Sequence, residues 1–153
     1  MEIILGIVLA LTTGCPASLL QSRDIELTRG DQFYRVADDS GAIIVGKREV
    51  GRIDGRGKIT NSRGQPLAFV YADYLQLRGG ATVPLKIDAD GEMYLPEAAT
   101  RAAALTPVPV RVRPDGRVAT TPGAVGIASK GTRTARGRRI LLAVMLLTAN
   151  DMW

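Results

Sequence analysis

A chain of 153 residues, with 46% hydrophobic residues, 17 glycines, 8 prolines and a net charge of +5, has the length of one domain plus tails. One cysteine excludes an intramolecular disulfide, and the lack of histidine excludes Ser-His-Asp and Cys-His catalysis, histidine-ligated metal and the usual near-neutral proton shuttle. From Ser22 to Thr100 eleven Lys/Arg face twelve Asp/Glu, whereas from Arg101 to Arg139 nine Lys/Arg meet a single acid, Asp115, so the basicity belongs to the C-terminal third.

The chain opens on an uncharged apolar run, Ile3 to Cys15, and stays uncharged through Ser22. Twenty such residues are long enough to cross a bilayer, although Pro16 interrupts them. Thr13 and Gly14 before Cys15 form a motif that resembles the box of bacterial lipoproteins, in which a leucine and two small residues precede a cysteine that is acylated. Leu11 stands one position further from Cys15 than in that pattern, and Glu2 stands where a basic residue is usual. The resemblance implies lipidation at Cys15 and a mature chain beginning there. Residues 1–21 are thus read as a signal peptide or membrane anchor, with a buried core segment as the remaining reading.

From residue 22 to 119 the pattern is that of a β-rich globular domain. Asp31–Ala37, Ala42–Val45 and Glu49–Ile53 read as strands, followed by a hairpin at Asp54-Gly-Arg-Gly57, where Asp-Gly suits a tight turn. Leu67–Tyr71 and Tyr74–Arg78 are the best strands, rich in aromatic and aliphatic residues. Ala81–Ile87 and Glu92–Leu95 flank a turn at Asp88–Gly91, and Pro84 marks an edge strand or a bulge. Proline, glutamate and alanines over 96–105 predict one short helix, and Val108–Val112 with Arg117-Val118 predict a last hairpin. Glycine recurs at the end of polar turns, at Gly41, Gly57, Gly64, Gly91 and Gly116, too irregularly for a repeat array. The expected fold class is mainly β: a small hairpin-rich sandwich or open barrel with that one short helix, an N-terminal apolar helix and a C-terminal apolar helical tail.

Residues 120–139, dominated by Gly, Ser, Thr, Ala and Arg, read as a flexible basic linker. Residues 140–153 form an apolar tail whose segment Ile140–Ala149 has no polar face, which rules out a surface helix of a water-soluble domain. As a helix, ten to fourteen residues of this tail span about 15–21 Å, short of a ~30 Å hydrocarbon core. A half-inserted tail, a segment packed into a membrane partner and a helix buried against the body are the three options. The first two make Arg136, Arg138, Arg139, Ile140, Leu141, Leu142, Val144, Leu146, Leu147 and Trp153 the contact residues for lipid or partner, with the arginines and Trp153 at headgroup level.

No set of residues specifies a reaction, so no catalytic, cofactor or metal residue is assigned. Of the acid/base candidates Asp38/Asp39, Asp88/Asp90, Asp54 and Asp73, all but Asp73 lie in turns, where aspartate bonds the local backbone. Asp88-Ala-Asp-Gly-Glu92 lacks the spacing of a calcium loop, and Asp54-Gly-Arg-Gly-Lys58 lacks the Gly-Lys-Ser/Thr of a phosphate loop. The expectation is a non-enzymatic structural or accessory subunit of a membrane-associated assembly in a bacterial cell envelope, on the periplasmic side. Its partners would be membrane lipid and another membrane or envelope protein. The alternatives are an enzyme using carboxylates only and a small β-barrel nucleic-acid module. The latter would use Tyr34, Tyr71 and Tyr74 with Lys47, Arg48, Arg52, Arg56, Lys58 and Arg63, while Phe69 is read as core.

Overall fold

A computed structural model describes residues 24–29, 31–120 and 125–153; the apolar run and Cys15 lie outside the described residues. The strands are β1 (Ile25–Arg29), β2 (Gln32–Val36), β3 (Ala42–Val45), β4 (Arg48–Ile53), β5 (Lys58–Asn61), β6 (Pro66–Val70) and β7 (Tyr74–Leu77). They continue as β8 (Thr82–Pro84), β9 (Lys86–Ile87), β10 (Met93–Tyr94), β11 (Val110–Val112), β12 (Val118–Thr120) and β13 (Val125–Lys130). Helix α1 (Glu97–Ala102) follows β10, and α2 (Ala135–Ala149) follows β13. The protein is mainly β, and among the described residues every strand pair is antiparallel.

The turns set this meander. Asp54, Asn61 and Asp88 each accept the amides two and four residues on with one side-chain oxygen, at 2.9–3.0 Å. The glycine three residues after each, Gly57, Gly64 and Gly91, takes the left-handed conformation that closes a three-residue hairpin loop. Asp54-Gly55 was the pair expected to supply the positive φ of a tight turn, but Gly57, at φ +91°, carries it. A side chain there would strike the Val70 carbonyl.

The strands form two antiparallel sheets that meet at β13, which pairs with β12 on one side and β1 on the other. The full order is β8-β7-β6-β5-β4-β3-β2-β1-β13-β12-β11-β10-β9. Its two ends, β8 and β9, are consecutive in the chain with only Leu85 between them. Pro84 lies in terminal strand β8, as its missing N–H requires, and α1 packs beside that strand. Helix α2 touches both β6 and β10, third and twelfth in the order, so the strands wrap around it.

Residues Ile140 to Leu147, eight in succession, are each no more than 3% exposed. They meet the inward residues of the strands, among them Leu27, Ile43, Ile59, Leu67, Leu75, Val83, Met93 and Val112. The apolar tail expected to contact lipid or a partner is therefore the centre of the core. A helix apolar on every side needs apolar surroundings, and the sheet interior supplies them as well as a bilayer does.

The expected linker over 120–139 is likewise ordered structure where it is described. Residues 125–130 are β13, and the N-cap Thr134 starts α2 by accepting the Gly137 amide at 3.0 Å. The glycines that suggested flexibility are close-packing residues instead: Gly131 sits against Asp24 and Ile25, and Gly137 against Gly131. The expected domain limit at residue 119 falls inside the sheet, since β1 is covered by β13. Among the described residues no helix is long and apolar enough to cross a membrane.

Candidate anion-binding cleft

Helix α2 runs into the core from its N-terminal end, so its first turns emerge at the rim of the sheet. Three arginines stand there with no acidic residue in the first turn. Cations at the positive end of a helix dipole are disfavoured by about 0.3–1 kcal/mol each at the surface, so the arrangement is electrostatically loaded. Each arginine has a different fate.

Arg138 is a brace. Its Nη1 donates to the carbonyls of Arg133 at 2.8 Å and Thr132 at 3.1 Å, tying the helix start to the β13–α2 turn. Its buried Nε has no partner. Arg136 and Arg139 point elsewhere. Three residues apart, they share one side of the helix and line a cleft of about 170 Å³ together with Ile140 and the hairpin tip Gly55, Arg56 and Gly57. Burial lowers the pKa of Arg139, and the charges of Arg136 and Arg138 lower it further.

The hairpin tip is rigid because Asp54 holds it. Asp54 Oδ1 accepts the amides of Arg56 at 2.9 Å and Lys58 at 3.0 Å. These bonds, the one from Lys58 foremost, keep its carboxyl below the usual carboxylate range. Arg56 is left projecting from the tip. Among the described residues Arg56, Arg136 and Arg139 form no ion pair, although seven other cation–carboxylate contacts do form. Three arginines without an ion-pair contact thus line one cleft, Arg56 feeling the charge of Asp54 at the hairpin tip, and a guanidinium carries a planar fork of donors suited to an oxyanion. A second cavity of about 220 Å³ shares Gly55, Arg136 and Ile140 with it, and is also lined by Asp38, Asp39 and Asp54.

Of the other residues singled out by sequence, Ile140 alone lines this cleft. Ile140, Leu141, Leu142, Val144, Leu146 and Leu147 are buried. Trp153 lies beyond the opposite end of α2, its Nε1 donating to Thr148 Oγ1 at 3.0 Å and its ring against Gly51. Asp88 is a turn residue whose second oxygen pairs with Arg111 at 2.9 Å, while Arg111 also lies 3.9 Å over the Tyr94 ring. Asp115 is held below the usual carboxylate range, chiefly by the Arg117 amide. Among the described residues no group of three or more Asp, Glu, His or Cys is placed to hold a metal ion.

The aromatic set divides. Tyr34 is buried, its hydroxyl donating to Gln32 Oε1 at 2.9 Å, and burial raises its pKa. Phe69, read as core, instead stacks on Tyr71 with centroids 6.0 Å apart, and Tyr71 on Tyr74 at 4.7 Å. The reason is register. Phe69 pairs with Lys58 and Gln76, whose neighbours Ile59, Leu75 and Leu77 take the inner face.

Arg56 was visible in sequence only as one of a scattered set of cations. The signal that marks it is its place at the tip of an Asp-x-x-Gly loop, but the partner arginines lie eighty residues away, and only the fold joins them. Compared with protein-family models, with curated proteins and with solved structures, the chain matches none.

Proposed function

We propose that this chain is a non-enzymatic accessory protein of a membrane-associated assembly in a cell envelope, attached through residues 3–22, and that it binds an oxyanion in the cleft of Arg56, Arg136 and Arg139. Its body is an open barrel around α2, with the seam at Leu85. The observation that carries the function is that three arginines from two separate elements, none in an ion-pair contact among the described residues, line one cleft. An anion there would relieve both the mutual repulsion of Arg136 and Arg139 and their conflict with the helix dipole. The basic contact expected from the sequence is kept, at Arg136 and Arg139, with Arg56 added and Arg138 set aside as a brace. The apolar tail takes no part, because it is spent in the core.

The test is a titration of the full-length chain in detergent with inorganic phosphate, followed by the side-chain NMR signals of arginine. Signals of three arginines should shift together and saturate, and Arg56→Gln or Arg139→Gln should weaken the affinity several-fold. Unsaturating shifts spread over all exposed arginines would overturn the assignment.

A second reading rests on the outer-face stack of Phe69, Tyr71 and Tyr74 with Lys58 across from Phe69. Stacking platforms beside cations bind single-stranded nucleic acid. That reading requires oligonucleotide binding that falls steeply with salt and is lost in Tyr74→Ala.

A further inference from the structure

The chain enters the described fold at the same end of α2 as the arginine cleft. Gly131, just before α2, packs against the Asp24 carbonyl and Ile25. Ile25, Arg136 and Ile140 line one cavity, and Arg136 and Ile140 also line the cleft beside it. In sequence, the uncharged stretch ends at Ser22, and Arg23 alone separates it from Asp24. Two residues reach at most about 7 Å at ~3.3–3.6 Å each, so a membrane-inserted segment ending at Ser22 would hold Asp24 close to the bilayer surface. The opposite end of the fold, with Asn150 and Trp153, would lie about 22 Å further out along the fifteen residues of α2.

We infer that the anion gripped by Arg56, Arg136 and Arg139 is the phosphate of an anionic phospholipid in the membrane that residues 3–22 enter. The domain then stands with the N-terminal end of α2 toward the bilayer. This rests on the cleft being an anion site, as proposed above, and adds its ligand and its orientation. The rim is not uniformly cationic, since Asp38, Asp39 and Asp54 line the adjoining cavity. The contact is therefore a grip on individual headgroups rather than a general attraction to a charged surface. Both ends of β5 carry a hairpin turn, Asp54–Gly57 at the cleft with Asp54 to Arg56 exposed and Asn61–Gly64 away from it with Ser62 to Gly64 exposed, which gives an internal comparison.

The experiment is hydrogen exchange on the full-length chain in phosphatidylcholine vesicles with and without phosphatidylglycerol. Phosphatidylglycerol should slow exchange several-fold over residues 54–57 and 135–139 and leave 61–64 unchanged. Arg136→Gln with Arg139→Gln should abolish the slowing while the chain remains in the membrane fraction. Arg56→Gln, at an exposed position that is no part of the core, should reduce it with the fold intact. Slowing at 61–64 instead, or slowing that survives these substitutions, would overturn the inference. If inorganic phosphate slows the cleft but vesicles do not, the anion site stands and the membrane-facing orientation falls. If neither slows it, both fall.

Discussion

Thr106 and Asn150, forty-four residues apart, are joined by a reciprocal pair of hydrogen bonds. The Thr106 amide donates to Asn150 Oδ1 at 2.7 Å, and Asn150 Nδ2 donates to the Thr106 carbonyl at 3.0 Å. Asn150 is also the C-cap of α2, and its Nδ2 reaches the Leu146 carbonyl at 2.9 Å. One amide side chain therefore closes the helix and fastens the segment after α1 to it. Asn150→Ala should cost about 1–2 kcal/mol, since one net hydrogen bond is worth roughly 0.5–1.5 kcal/mol and this substitution removes several exposed ones. A urea midpoint lowered at unchanged slope would show it; an unchanged midpoint would mean the pair contributes nothing in solution.

The burial of α2 makes a sharper demand. Leu142 is fully buried, and Leu142→Ala should cost about 2–5 kcal/mol, from lost transfer energy and the cavity left behind. If α2 instead lay in lipid or on a partner, the same truncation would leave the unfolding of the body almost unchanged. Thermal unfolding of the purified chain in detergent, with and without the substitution, separates the two.

How much of this was legible in the sequence depends on whether the cause was local. The hairpin turns were legible at Gly41, Gly57, Gly64, Gly91 and Gly116, all of which have positive φ, because an Asx residue and a glycine in one short loop decide the conformation between them. The helix Ile140–Ala149 was legible as an object that cannot face water. Its destination was not, since lipid and a sheet interior satisfy an all-apolar surface equally. Strand β13 was illegible for a related reason: Val125-Gly-Ile-Ala-Ser-Lys130 is weakly strand-forming alone, and its place is fixed by pairing with β1 and β12. The cleft was the least accessible, because Arg56 and Arg136 become neighbours only once the meander has wrapped around α2.

Gly137 offers a test in which helix propensity and packing have opposite signs. Alanine is favoured over glycine in a helix by about 0.8–1.0 kcal/mol, so Gly137→Ala would stabilise an isolated α2. In the fold, a Cβ at this position runs into the Gly131 carbonyl and crowds Thr134 Oγ1, the N-cap oxygen that accepts the Gly137 amide. Backbone must move, and the cap with it. Caps of this type are worth about 0.5–2 kcal/mol, so the substitution should be net destabilising by about 1 kcal/mol or more. A raised melting temperature for Gly137→Ala would show that the turn before α2 yields to a methyl group at little cost.

Acid should weaken the protein through its turns. Asp54 and Asp115 have folded pKa values below the ordinary 3.8, each chiefly because backbone amides donate to the ionised carboxyl. A carboxyl with a depressed folded pKa contributes its stability fully above the unfolded value and loses it as pH falls from there through the folded one. The fall should therefore begin near pH 4 and steepen below it, while near neutrality the contribution of these groups is complete and does not change with pH. Asparagine keeps the accepting oxygen but not the charge, so Asp54→Asn with Asp115→Asn should lose a little stability at pH 7 and show a flatter acid limb. Urea midpoints measured from pH 7 down to about pH 2.5 decide this. An acid limb equally steep in the variant would assign the loss to other carboxylates, with Asp24, which pairs with Arg35 at 2.6 Å and accepts the Asp38 amide at 2.9 Å, the first to examine.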